Sequence, residues 1–228
     1  MGLAQDLKSG TKQSHSAAEN TKFVSSFLRG VVNRDKYRQL VANYYFIYQA
    51  METEVKRLKN NSYVGPLNIK ELNRHDALAK DCEYFFGQDW RKNIYPTEAC
   101  QQYVNRIREV AHDEVELLVG HHYTRYLGDL SGGQILRNIA FNALKLDDGG
   151  LDFYDFPLIE NKKEFKNNYR ATLNTLPVTE SQVSAIVSEA NYAFRLNMFM
   201  FEELDGNAFK STIAYLCGII KGKTDATT

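Results

Sequence analysis

A single all-helical domain is what this 228-residue chain predicts, on three observations. Apolar residues recur every three or four positions along most of its length, the spacing of one buried helix face. Alternating strand patterns are scarce. The four prolines, Pro66, Pro96, Pro157 and Pro177, each fall between periodic segments, where helices end or begin. There is no internal repeat, low-complexity tract or long linker. One helical bundle over residues 1–228 is expected, with its core at about 3–206 and a C-terminal tail at 207–228.

Taken in order, the first helix reads from Leu3 to Glu19 and the second from Thr21 to Arg29. The third, Asn33 to Asn60, carries Tyr37, Leu40, Val41, Tyr44, Ile47, Tyr48, Met51, Val55 and Leu58 on one broad apolar face. Further helices are predicted at Asn68–Phe86, Glu98–Val119, His121–Leu146 and Asn161–Leu176. The last opens on Thr179 and Gln182, the spacing of a capping box. Val183, Ile186, Val187, Ala190, Phe194, Asn197, Phe201 and Leu204 line one face of it, and Gly206 breaks it.

Composition narrows the class. Hydrophobic content of 43% and charged content of 25% fit a soluble globular protein. Lys+Arg and Asp+Glu both number 28, which argues against a general nucleic-acid binder but allows a local basic patch. Cys82, Cys100 and Cys217 are odd in number and far apart, so a disulfide framework or paired-cysteine metal site is not expected and a reducing compartment fits. Met1 to Ser14 lacks the apolar stretch of a signal peptide, and the run Ile213 to Ile220 is too short to span a bilayer.

The densest local signal is Tyr123-Thr124-Arg125-Tyr126-Leu127-Gly128-Asp129-Leu130-Ser131-Gly132-Gly133-Gln134. Helical flanks surround three glycines and an aspartate. Each helix glycine costs about 1 kcal/mol against alanine. In exchange it thins the helix surface, letting a flat group approach the backbone, and lets the helix bend. Asp129 sets a proton-active group beside that surface. Close helix–helix packing through small residues is the other use of such a stretch. A phosphate loop is not, since the preceding strand and the Lys-Ser/Thr ending are missing.

Two further clusters carry chemistry. Lys8, Thr11, Lys12, His15 and Glu19 share one helix face at one-turn spacing. His15 offers one ring nitrogen to a metal while Glu19 orients the ring through the other, with lysines beside them for an anion. A solvated helix with an incidental His–Glu pair has the same spacing. On the second, Lys166 and Arg170 share a face with Lys163 and Tyr169 nearby, suited to carboxylate or phosphate or simply to water. Glu109 and His112 form a Glu-x-x-His pair, but a di-iron bundle needs two such pairs and the chain has one. His121 and His122 are adjacent and point about 100° apart on a helix, poor joint ligands for one metal. His75 reads as a surface residue.

Together these stretches resemble the heme oxygenase family. Thr11-Lys12-Gln13-Ser14-His15-Ser16-Ala17-Ala18-Glu19-Asn20 is similar to its proximal-helix motif, and Tyr123 to Gln134 to its distal-helix signature. Phe165-Lys166-Asn167-Asn168-Tyr169-Arg170 and Phe201-Glu202-Glu203-Leu204 resemble later family segments in the same order. The resemblance runs from about Leu3 to Leu204. His122, before Tyr123, is bulkier than the small residue the family pattern has there.

The resemblance implies a helical bundle with heme b sandwiched between a proximal and a distal helix. His15 is then the iron ligand and Glu19 its orienting partner. Lys8, Lys12, Tyr123, Lys166 and Arg170 match residues that hold the heme propionates, and Thr11 is counted among the heme-binding residues. Asp129, Gly132 and Gly133 match the catalytic stretch, Gly128 the helix over the heme, and Phe194 and Asn197 the pocket wall. The implied reaction cleaves heme, at once cofactor and substrate, to biliverdin of the alpha type, carbon monoxide and ferrous iron. It consumes dioxygen and external electrons, and Asp129 works through ordered water. Ferredoxin is the implied donor, a bilin reductase a downstream partner, and the cytoplasm of a photosynthetic prokaryote or a plastid stroma the setting. A non-enzymatic heme carrier or sensor would need His15 and the basic clamp but not Asp129. A helical interaction module would leave the glycines unexplained.

Overall fold

Asn33 and Thr179 open the two longest helices of the chain. Each side-chain oxygen takes a first-turn backbone N–H, Asn33 from Lys36 at 3.0 Å and Thr179 from Gln182 at 3.3 Å. The Gln182 side chain accepts the Thr179 N–H at 3.0 Å, which completes the expected capping box. The computed structural model describes residues 2–206. The expected tail at 207–228, with Cys217 and the apolar run Ile213 to Ile220, lies outside the described residues.

The described residues hold helices and turns and no strand. In chain order the helices are α1 (Leu3–Gly10), α2 (Lys12–Glu19), α3 (Lys22–Leu28), α4 (Arg34–Arg57), α5 (His75–Phe86), α6 (Trp90–Asn93), α7 (Glu98–Asp113), α8 (Leu118–His122), α9 (Gly128–Leu144), α10 (Lys162–Asn174) and α11 (Glu180–Leu204). A π-helical turn, Tyr123–Leu127, joins α8 to α9. Helix α4 packs on α5 and α7, while α11 packs on α7, α8, α1 and α2. Their shared core includes Ile47, Tyr48 and Met51 of α4, Tyr103 and Ile107 of α7, and Ile186 and Met200 of α11, all fully buried. Each such side chain contributes about 1.5–3 kcal/mol on leaving water. Gly120 lets α8 lie against the α11 backbone: a Cβ there would sit 2.8 Å from the Ile186 carbonyl oxygen. No described helix is long and apolar enough to cross a membrane.

The boundaries differ from expectation in four places. The first helix breaks at Thr11 (φ −103°, ψ 1°), whose buried hydroxyl donates to the Leu7 carbonyl at 2.7 Å. The segment expected as Asn68–Phe86 is α-helical only from His75, after a short 3-10 turn at Lys70–Leu72. Glu52, on α4, accepts the N–H groups of Arg74 at 2.5 Å and His75 at 3.0 Å, so the cap comes from a distant helix. The segment expected as Glu98–Val119 stops at Asp113, and a 3-10 turn, Val115–Leu117, leads into α8. The glycines do not interrupt the distal segment: Gly128, Gly132 and Gly133 are all helical in α9, and the irregularity is the π turn before them. His75 is also less exposed than expected, half-buried with its ring centroid 4.8 Å from that of Tyr45.

His122 ties α8 to α10. It is buried, its ring stacks on Tyr169 and its Nδ1 meets the Tyr169 hydroxyl at 2.7 Å. Burial drives its pKa from 6.5 down to about 3, against a smaller opposing effect from a hydrogen bond with the Leu67 backbone. The unfolded chain therefore takes up this proton near pH 6.5 and the folded chain does not until far lower. Stability is expected to fall as pH drops from 6.5 towards 3, and His122→Gln should flatten that slope in urea titrations run across the range.

Candidate functional site

Helix α9 presents glycine rather than side chains along one strip. Gly128 and Gly132 stand one turn apart, and a Cβ built on either meets nothing within 4 Å. Gly133 is turned elsewhere: it is buried, and its Cβ would lie 3.5 Å from the Tyr154 ring. Asp129 points to the protein side of the strip. Its carboxylate accepts the Tyr48 hydroxyl and faces the Arg125 guanidinium at 3.6 Å. Burial raises the Asp129 pKa, and Arg125 and Tyr48 offset part of that rise.

Arg125 is itself buried and fully engaged. It donates to the Tyr48 hydroxyl at 3.1 Å and to Asn197 Oδ1 at 2.6 Å, and its guanidinium lies 4.4 Å from the centre of the Tyr44 ring. Asn197 in turn donates to the Ala193 carbonyl at 2.8 Å, which fixes its amide. The acid of the distal helix is thus held by α4 and α11 as well as by its own helix.

The proximal set sits on α2. The His15 side chain is 57% exposed, and its Nδ1 faces Glu19 Oε2 at 3.7 Å. Its Nε2 has no hydrogen-bond partner among the described residues. Its ring meets Phe194 of α11 edge-on, with centroids 5.8 Å apart. Phe194 and Asn197 lie three residues apart on α11, so one turn of that helix touches both His15 and the Arg125–Asp129 pair.

Lys166 and Arg170 lie one turn apart on α10, with Lys166 Nζ 3.5 Å from Ser131 Oγ of α9 and Arg170 on Asn167 at 3.2 Å. Tyr123 is buried, shares a side-chain hydrogen bond with Thr11 and feels the charge of Arg170. Lys8 and Lys12 are exposed on either side of Thr11. None of the four cations Lys8, Lys12, Lys166 and Arg170 is in an ion pair among the described residues. Their charge is therefore available to an anionic ligand.

Sequence reasoning missed part of this. It placed Tyr44 and Tyr48 on an apolar face and gave Arg125 no role, since hydrogen bonding between distant helices leaves no periodic trace. It also missed Asp81, fully buried on α5, which accepts the N–H groups of Asp152 and Phe153 at 2.8 Å each. That turn sets Phe153 against Tyr48 and Tyr154 behind Gly133. The Glu109–His112 pair is exposed, with Glu109 bound to Arg106 at 3.0 Å, and no three His, Cys, Asp or Glu residues converge as metal ligands among the described residues. His121 and His122 have separate partners, Glu189 and Tyr169.

An open imidazole nitrogen, a strip without side chains and a rim of unpaired cations fit a flat macrocycle with two carboxylates. A sequence model of the heme oxygenase family matches residues 1–203. The heme oxygenase of Porphyra purpurea is 52% identical over 209 residues, 91% of this chain and 89% of that protein. Heme oxygenase 1 of Synechocystis sp. is 50% identical over 92% of this chain and 88% of its own length. The crystal structure of heme oxygenase-1 from the cyanobacterium Synechocystis sp. PCC6803 in complex with heme is similar in fold. Its TM-score is 0.89 at 48% identity, covering 96% of this chain and 100% of that one. By sequence along nearly its whole described length, and by fold, this chain belongs to the heme oxygenase family.

Proposed function

We infer that the protein is a heme oxygenase that cleaves heme to biliverdin, carbon monoxide and ferrous iron, using dioxygen and electrons supplied from outside. Bound heme supplies both the redox-active iron and the carbon that is oxidised. The observation that carries this reading is the single turn of α11 that joins His15, through Phe194, to the Arg125–Asp129 pair, through Asn197. A heme carrier needs the first contact but gains nothing from the second.

His15 would hold the iron through Nε2, with Glu19 keeping the ring in place through Nδ1. Lys8, Lys12, Lys166 and Arg170 would pair with the propionates, and Tyr123, held by Thr11, would add a hydrogen bond. That grip would fix the rotation of the macrocycle within its plane and so which bridging carbon is presented for oxidation; the alpha isomer is the product this reading expects. Gly128 and Gly132 admit the plane of the ring close to the α9 backbone, with Gly133 letting Tyr154 pack behind. Asp129 would hold a proton for delivery through ordered water, its carboxylate oriented by Tyr48 and Arg125.

Ferredoxin is the electron donor we favour. The red algal and cyanobacterial relatives support that choice, and four cations set against two propionates would leave a positive surplus that suits an acidic protein docking near the ring edge. A bilin reductase would then consume the product, in the cytoplasm of a photosynthetic prokaryote or a plastid stroma.

Hemin added to the purified chain should give a Soret band, which ferredoxin with its reductase in air should replace with a biliverdin spectrum; a stable Soret band under those conditions would sink the reading. His15→Ala should abolish turnover unless imidazole is supplied, as read by the spectrum of the hemin complex. Asp129→Ala should keep hemin bound while biliverdin formation falls about a hundredfold. Gly132→Ala should stabilise the hemin-free protein by about 1 kcal/mol in a urea melt, since nothing obstructs the new methyl, yet weaken hemin binding in a spectral titration.

A further inference from the structure

Helix α2 carries His15, yet none of its residues is buried. Hydrophobic packing therefore does little to seat it. Behind it runs a crevice lined by Gln13, Ser14 and Ala17 on one side and Arg106, Tyr192 and Met198 on the other. On its N-terminal side the chain has just broken helical form at Thr11.

One side chain spans this weak point. Asn191 of α11 accepts the Ser14 hydroxyl at 2.6 Å through Oδ1. Its Nδ2 donates to the Gly10 carbonyl at 3.1 Å and to the Val187 carbonyl at 2.9 Å. Asn191 thus grips the last residue of α1 and the first turn of α2, on both sides of the break, while its own backbone stays fixed in α11. Gly10 permits the approach: a Cβ there would fall 2.4 Å from Val187 Cγ1. Phe194 of α11 also meets the His15 ring edge-on.

We propose that Asn191, with Ser14 as its partner, is a positioning residue that sets the seat of His15 and so the bond from its imidazole to the iron. This rests on the reading of His15 as the iron ligand. Asn191 neither touches the reacting atoms nor titrates. It acts by restricting how α2 rolls on α11, and the edge-on Phe194 contact then limits the rotation of the His15 ring.

The test compares Ser14→Ala, Asn191→Ala, the double variant and the control Gln13→Ala in the full chain. Without hemin, amide exchange over residues 12–19 should speed up about five- to tenfold in either single variant, the size expected for one hydrogen bond. The double variant should show no more than the larger single effect, because both remove the same contact. Gln13→Ala should match the parent. In the reduced hemin complex, the iron–histidine stretching band in the Raman spectrum should shift or broaden in the same variants. Unchanged exchange together with an unchanged band in Ser14→Ala and Asn191→Ala overturns the proposal. His15→Ala separates the two levels: loss of the band in that variant upholds the ligand reading whatever Asn191 does, and its persistence overturns the ligand reading itself.

Discussion

A guanidinium without access to water must be satisfied from every side, and Arg125 imposes that demand on three helices at once. Left unpaired, its charge would cost several kcal/mol. Tyr48 and Tyr44 of α4 and Asn197 of α11 meet it, together with Asp129 one turn along its own chain. The same contacts that satisfy Arg125 therefore fix the direction of the Asp129 carboxylate. On the proposed function, stability and chemistry would be served here by one set of hydrogen bonds, beside which Tyr126 and Phe153 pack edge-on against Tyr48.

Elsewhere the two are opposed. Gly128 and Gly132 give up helix propensity to leave a bare strip, and α2 gives up burial to leave His15 exposed. The fold tolerates both because its core lies in α4, α7 and α11, whose apolar contacts do not depend on the site. The parts that would meet the ring are hung on that core by polar links: Asn191 to α2, His122 and Tyr169 to α10, and Asp81 to the turn behind α9. Polar links fix direction better than apolar contacts do, which suits elements that must hold a rigid ligand at a set distance.

Much of this could be read from the residues alone. Thr179 and Gln182 announce their helix start because a cap acts within one turn. The apolar spacing of α4 and α11 marks their buried faces because burial is periodic. His15 with Glu19, and the glycines with Asp129, stand out because their spacing is local. What escaped was non-local. Glu52 caps α5 from another helix, so nothing near His75 announced the start. The break at Thr11 depends on a side chain turning back on its own helix, which the apolar pattern passes over. Arg125 reads in sequence as a neighbour of Asp129 and becomes central only through Tyr48, 77 residues before it, and Asn197, 72 residues after it.

The π turn at Tyr123–Leu127 has a consequence for how the distal segment could have arisen and what it now permits. A π turn holds one residue more than the α-helix would over the same span. It behaves as a lodged single-residue insertion, which offsets everything after it by about 100° relative to everything before. His122 and Tyr123 look inward to α10 and Thr11, whereas Gly128 and Gly132 look into open space. Excising one residue from that turn would restore a regular helix and sever the agreement between the two halves. The length of this segment is therefore as constrained as its composition.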